Sequence, residues 1–229
     1  MDEVAAGVTD LLLGVVLLGC ARRLQRATGV HRYWALMLWS AGAGSLAGVA
    51  HHLLFTGSRR ASDLSWIVVG VLIAVAISYM LAATATEILG RWLARAFISL
   101  RVAGLLAYLV VLVTVGIGRT RPLVLSESVT MATIVGLWLY ALYVRRPGAG
   151  RMLVAIAVCA LPAVFYALPA GTLSSTVGLD ARALQHLGQI PGVLLICQVI
   201  AAATAARLQH EPIHTRPPGA GEERRDHPA

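Results

Sequence analysis

The sequence predicts an all-α protein, a bundle of seven transmembrane helices. Three observations predict it. The chain is 58% hydrophobic and only 13% charged, about half the charged share of a soluble domain. Its mean hydropathy of +0.74 comes from long apolar runs rather than scattered residues. Between the runs lie short segments rich in arginine, glycine and proline. A helix needs roughly 20 apolar residues to cross a bilayer, whereas an open sheet would leave its edge groups unsatisfied in lipid.

The first run, residues 4–22, follows an acidic Met1-Asp2-Glu3. A secretory leader wants a positive start, so this run is expected to remain as a span. The second, 33–55, carries Gly44-x-x-x-Gly48, small residues that let a neighbouring helix come close, and ends with His51 and His52. The third, 64–87, follows Ser62 and Asp63, either of which can cap it. Its Glu87 precedes Arg91 by four residues, a favourable order for an ion pair. The fourth run is 97–118. The fifth, 122–144, holds Glu127 and stops before "RRPGAG" at 145–150. The sixth, 152–170, contains Pro162. The seventh, 181–206, follows Asp180, a second candidate cap, and carries His186, Gln189 and Pro191. Proline frees the carbonyl four residues back and allows a kink. Residues 1–208 therefore read as one membrane domain. The polar, proline-rich 209–229 reads as a disordered cytoplasmic tail.

All 19 basic residues are arginine, and lysine and asparagine are missing, a bias that suggests a GC-rich bacterial genome. The pI of about 10.2 comes with no basic face interleaved with aromatics, so nucleic acid is not an expected partner; the lipid bilayer is. Arginine placement sets the expected orientation. With the N-terminus outside and the C-terminus inside, Arg22, Arg23, Arg26, Arg32, Arg91, Arg95, Arg101, Arg145, Arg146, Arg151 and Arg207 fall at inner ends. Arg59, Arg60, Arg119, Arg121 and Arg182 fall at outer ends. The expected location is the cell membrane, as a multi-pass protein. Cys20, Cys159 and Cys197 each lie inside an apolar run and read as packing residues.

Counting rise along each span turns scattered polar residues into a layer. His52 lies 20 residues from Arg32 and His186 lies 21 from Arg207, both roughly 30 Å up at 1.5 Å per residue. Glu127 and Gln189 stand slightly lower, while Asp63 begins its span at the outer surface. Asp10 lies 12 residues from Arg22, only about 18 Å up and inside the hydrocarbon. A carboxylate at that depth is costly unless paired or protonated. The candidate site residues are therefore the carboxyls of Asp10, Asp63 and Glu127, the imidazoles of His51, His52 and His186, and the amide of Gln189. Adjacent histidines point about 100° apart, so one of His51 and His52 is expected to face the bundle centre. His52, on the face led by Gly44 and Gly48, is the preferred one, facing His186.

His52 and Asp63 flanking the second loop, with His186 early in the last span, resemble the superfamily of alkaline ceramidases and adiponectin-receptor-like proteins. "EVAAGVTD" at 3–10 and "HLGQ" at 186–189 also look like an uncharacterised bacterial seven-helix family related to it. The resemblance implies a zinc ion held by three histidines, with a serine and an aspartate assisting, that activates water to cleave a lipid amide. Here the second histidine of the last helix would be Arg182 or Ile190, and the serine position is Gly48. Catalytic zinc commonly takes three protein ligands and one water. His52 or His51, His186 and one carboxylate from Asp10, Asp63 or Glu127 would supply the three, with Gln189 touching substrate. Two functions follow as expectations: a zinc-dependent hydrolase of a lipid amide or ester in the outer half of the bundle, or a non-enzymatic sensor, channel-like protein or degenerate relative without metal.

Overall fold

The computed structural model describes residues 2–25, 30–115, 121–164 and 181–210. Among the described residues the chain is helical with no strand. Its elements are α1 (Asp2–Leu24), α2 (Val30–Ala50) running straight into a π-helical turn (His51–Phe55), α3 (Arg59–Val115), α4 (Arg121–Tyr143), α5 (Ala149–Val164) and α6 (Ala181–His210).

Seven helices are expected; among the described residues there are six helical elements, because the third and fourth apolar runs are joined without a loop. The chain between them stays helical except at Gly90, whose φ of 81° and ψ of 172° break the α-helix. That backbone region is open essentially to glycine alone. In a straight helix, 23 residues would separate Ser78 from Arg101 by about 35 Å. Instead, Arg101 Nε donates to the Ser78 hydroxyl at 2.9 Å, and Arg101 Nη2 donates to the Ala74 carbonyl at 3.3 Å. α3 therefore folds back at Gly90, and its two limbs carry the third run and the fourth as far as Val115. Arg146 Nη1, from the α4–α5 connection, donates to the Ile88 carbonyl at 3.1 Å and braces this turn.

Each helix packs on the next, and α6 returns to α1, so the elements close a ring. Trp34, Leu38, Ile134 and Met152 are fully buried inside it. The outside is apolar too. On α1, Ala6, Leu13, Leu17, Cys20 and Leu24 face inward, while Val4, Val8, Leu11 and Val15 form an exposed stripe. A helix apolar on all sides suits lipid rather than water. Four helical segments are long and apolar enough to cross a membrane: Glu3–Leu24, Arg59–Val110, Val124–Tyr143 and Ala181–Ala206.

α5 and α6 touch most closely at Gly192, where an added Cβ would stand 2.5 Å from the backbone nitrogen of Cys159. α3 begins at Arg59, and the Ser62 amide already donates to the Ser58 carbonyl at 2.8 Å. Ser62 and Asp63 therefore lie within its first turns rather than capping it. Asp180 and the expected tail from residue 211 onward lie outside the described residues.

Candidate functional site

Three helices bring their polar residues together at the end of the ring opposite Gly90. α1 supplies Glu3, Thr9 and Asp10, the end of α2 supplies His52, and α6 supplies Arg182 and His186. Asp10 stands between the two histidines: its Oδ1 is 3.3 Å from His186 Nδ1 and its Oδ2 is 3.8 Å from His52 Nε2. The other nitrogen of His52, Nδ1, meets Glu3 Oε2 at 2.6 Å. Glu3 Oε1 in turn accepts from Arg182 Nη1 at 3.2 Å. The result is a chain Arg182–Glu3–His52–Asp10–His186. Its inner members are enclosed, with side chains of His52 and Asp10 only 4% and 8% exposed. Its rim is open, with Arg182 and Glu3 at 47% and 45%.

Proton positions follow from the partners. The Thr9 hydroxyl has the Ala5 and Ala6 carbonyls at 3.0 Å as acceptors for its single hydrogen. Its oxygen is then the acceptor for His186 Nδ1–H at 3.4 Å, with Asp10 Oδ1 3.3 Å from the same nitrogen. His52 has a carboxylate oxygen facing each ring nitrogen, Glu3 within hydrogen-bond distance of Nδ1 and Asp10 further off, 3.8 Å from Nε2.

The local reasons are simple. Glu3 and Asp10 are seven residues apart, so two helical turns put them on one face of α1. Arg182 and His186 are four apart on α6. Gly48 on α2 leaves the room Asp10 needs, since a Cβ there would fall on the carboxylate.

The remaining candidates lie elsewhere. His51 is buried and turned toward α3, with Nδ1 2.8 Å from the Ser65 hydroxyl. Ser65 gives its own hydrogen to the Ser62 carbonyl, so His51 Nδ1 is the donor. The Trp66 ring lies tilted against His51, centroids 5.0 Å apart. Asp63 is exposed on α3 and joins no ion pair among the described residues. Gln189 is half-buried one turn along from His186.

Glu127 is held by Arg101, whose Nη2 lies 2.5 and 2.7 Å from its two carboxylate oxygens. Arg101 Nη1 donates to Ser126 at 2.8 Å, and Nε to Ser78. Both charges are buried, so Arg101 is not the inner-end residue the sequence suggests. Eleven residues past Gly90, it stands about 16 Å along its limb. Sequence reasoning passed over Glu3, Thr9, Arg182 and Ser65. The seven-residue spacing of Glu3 and Asp10 was the available signal.

Two imidazoles and a carboxylate are suitable zinc donors, and a second carboxylate on His52 Nδ1 is what metal-bound histidines commonly have. Among the described residues no group of three or more His, Cys, Asp or Glu is arranged to hold a metal ion. Of the two positions that would complete a three-histidine set, one holds Ile190 and the other Arg182, a cation paired with Glu3.

The fold and this cluster define a class: an all-helical protein, apolar on its outer surface, with several helices able to cross a membrane. The pattern of DUF6962, a family of unknown function, matches residues 5–205, and the chain belongs to that family. No curated protein and no solved structure matches it, and nothing links it to the alkaline ceramidases or adiponectin-receptor-like proteins.

Proposed function

We propose that this is a multi-pass membrane protein built around a metal-free proton-binding centre, and that it acts as a sensor-like bundle rather than a hydrolase. The observation that carries the reading is Asp10 set between His52 and His186, with Glu3 on the far side of His52. These are four proton-exchanging groups in series, most exposed at the Glu3–Arg182 rim. Two carboxyls, two imidazoles and one guanidinium make up the series. Gaining or losing a proton at its enclosed members changes the charge of a buried site, which is costly. Relief requires α1, α2 or α6 to shift, because each contributes part of the chain. Proton occupancy is thereby coupled to helix packing.

A channel is less well supported. Leu13, Leu17, Leu38, Trp34 and Ile196 fill the ring between this centre and the Gly90 end, and all are buried. The resemblance to zinc amidases remains one of residue positions; Arg182 in place of a histidine supports a relative that has exchanged a metal for a guanidinium. Arg91, Arg95, Arg145, Arg146 and Arg151 near the Gly90 end support placing that end in the cytoplasm and the proton centre on the outer side.

The test uses Trp66, which touches His51, whose ring lies edge-on to His52 at 5.1 Å. Tryptophan emission of the purified protein is expected to change with pH. Trp66→Phe should remove that change, and Asp10→Asn should move its midpoint. Identical pH curves for the wild type, Asp10→Asn and His52→Gln would sink the proton centre. One zinc per chain, lost on His52→Ala, would restore the metal reading.

A further inference from the structure

The contacts between α5 and α6 run in opposite order. Gly188 meets Pro162, and Gly192 meets Cys159, so the two helices are antiparallel and closest there. Eight residues further toward the Gly90 end, Arg151 comes level with Ile200. At that level the helices part and leave a groove of about 510 Å³, lined by Arg151, Val154, Leu195, Gln198, Val199 and Ala202. The volume lies in the range of small-molecule sites, about 300–1,000 Å³.

The polar and apolar parts of this groove are ordered by depth. Arg151 is the third residue of α5, beside the Arg145 and Arg146 connection, and therefore at the membrane interface. Gln198 lies within about a turn of it on the facing helix. Val154 and Leu195 lie a further turn toward the bundle middle. Arg151 and Gln198 are both exposed. No carboxylate pairs with Arg151 among the described residues. An exposed amide eight residues inside the end of the span Ala181–Ala206 faces lipid, where a polar group is costly without a partner.

We infer that this groove binds one anionic phospholipid of the surrounding bilayer. The lipid phosphate takes a charge-assisted hydrogen bond from the Arg151 guanidinium. The Gln198 amide bonds the glycerol-ester oxygens just below, and the acyl chain lies along Val154 and Leu195. The order of charge, amide and apolar wall matches the order of groups in a phospholipid. A zwitterionic lipid matches less well, since its own ammonium would compete for the phosphate. The inference rests on the membrane reading alone and is independent of the proton centre.

The test is native mass spectrometry of the full-length protein, offered phosphatidylglycerol or phosphatidylcholine with the same acyl chains. Retained phosphatidylglycerol, with little phosphatidylcholine, is expected. Arg151→Ala should lower phosphatidylglycerol occupancy about fivefold, the worth of one basic residue near an anionic surface. Arg151→Lys should keep most of it, and Val154→Trp, which fills the groove, should abolish it. Both altered side chains are exposed, and unchanged thermal melting checks that the variants fold. Equal retention of the two lipids overturns the inference, as does unchanged phosphatidylglycerol binding in Arg151→Ala and Val154→Trp.

Discussion

Gly48→Ala tests the geometry of the histidine–aspartate chain with one methyl group. A Cβ on Gly48 would fall on Asp10 Oδ2 and stand 3.0 Å from Cγ and 3.4 Å from Oδ1. Asp10 has a short side chain with two torsions, so its carboxylate must rotate off the line between His52 Nε2 and His186 Nδ1. Overpacking a tight site costs about 1–3 kcal/mol. Losing a hydrogen bond to a charged group costs about 1.5–3 kcal/mol. Alanine is the better helix former by roughly 1 kcal/mol, which offsets part of this. The expected net loss is about 2–4 kcal/mol, or roughly 4–16 °C in melting temperature for a chain of this size. The assay is thermal melting in detergent, with the same substitution repeated in an Asp10→Ala background. There the colliding atoms are gone, and Gly48→Ala should become neutral or stabilise by up to about 1 kcal/mol. An equal loss in both backgrounds would refute the reasoning, because the cost would then arise from something other than the Asp10 carboxylate.

Two further outcomes follow from the fold. Arg101→Leu or Glu127→Leu alone should each destabilise by about 3–5 kcal/mol by leaving one buried charge unpaired, while the double replacement should cost far less; additive losses in a double-mutant melting cycle would show that the pair is not coupled. Gly90→Ala should cost about 1–3 kcal/mol through backbone strain alone, since nothing lies within 4 Å of the added Cβ. Melting and near-ultraviolet circular dichroism of that variant check it, and an unchanged melting temperature would mean that the fold-back does not depend on glycine.

Hydropathy runs are local, and they were sufficient for the all-helical class, for the helix positions and for the apolar outer surface. Depth was also legible, because rise per residue is constant. That is how His52 and His186 could be placed at one level before any packing was known, whereas Asp10, counted only about 18 Å up, meets both of them in the structure. Azimuth was not legible. Glu127 has a similar height to the histidines, yet α4 lies across the ring from α1, and Arg101 holds it there. Height along a helix does not say which neighbour a side chain faces; only the order of helices around the ring does. The link between the third and fourth runs was misjudged for a related reason. A polar, arginine-bearing segment at 88–96 reads as a loop, but it is helical on either side of Gly90, and that single glycine with positive φ supplies the reversal. Glu3 shows the same limit at the site. As a sequence feature it is one acid near a terminus. It became the partner of His52 and Arg182 only when α1, α2 and α6 met, because an ion pair depends on distances between helices, and those are set by packing.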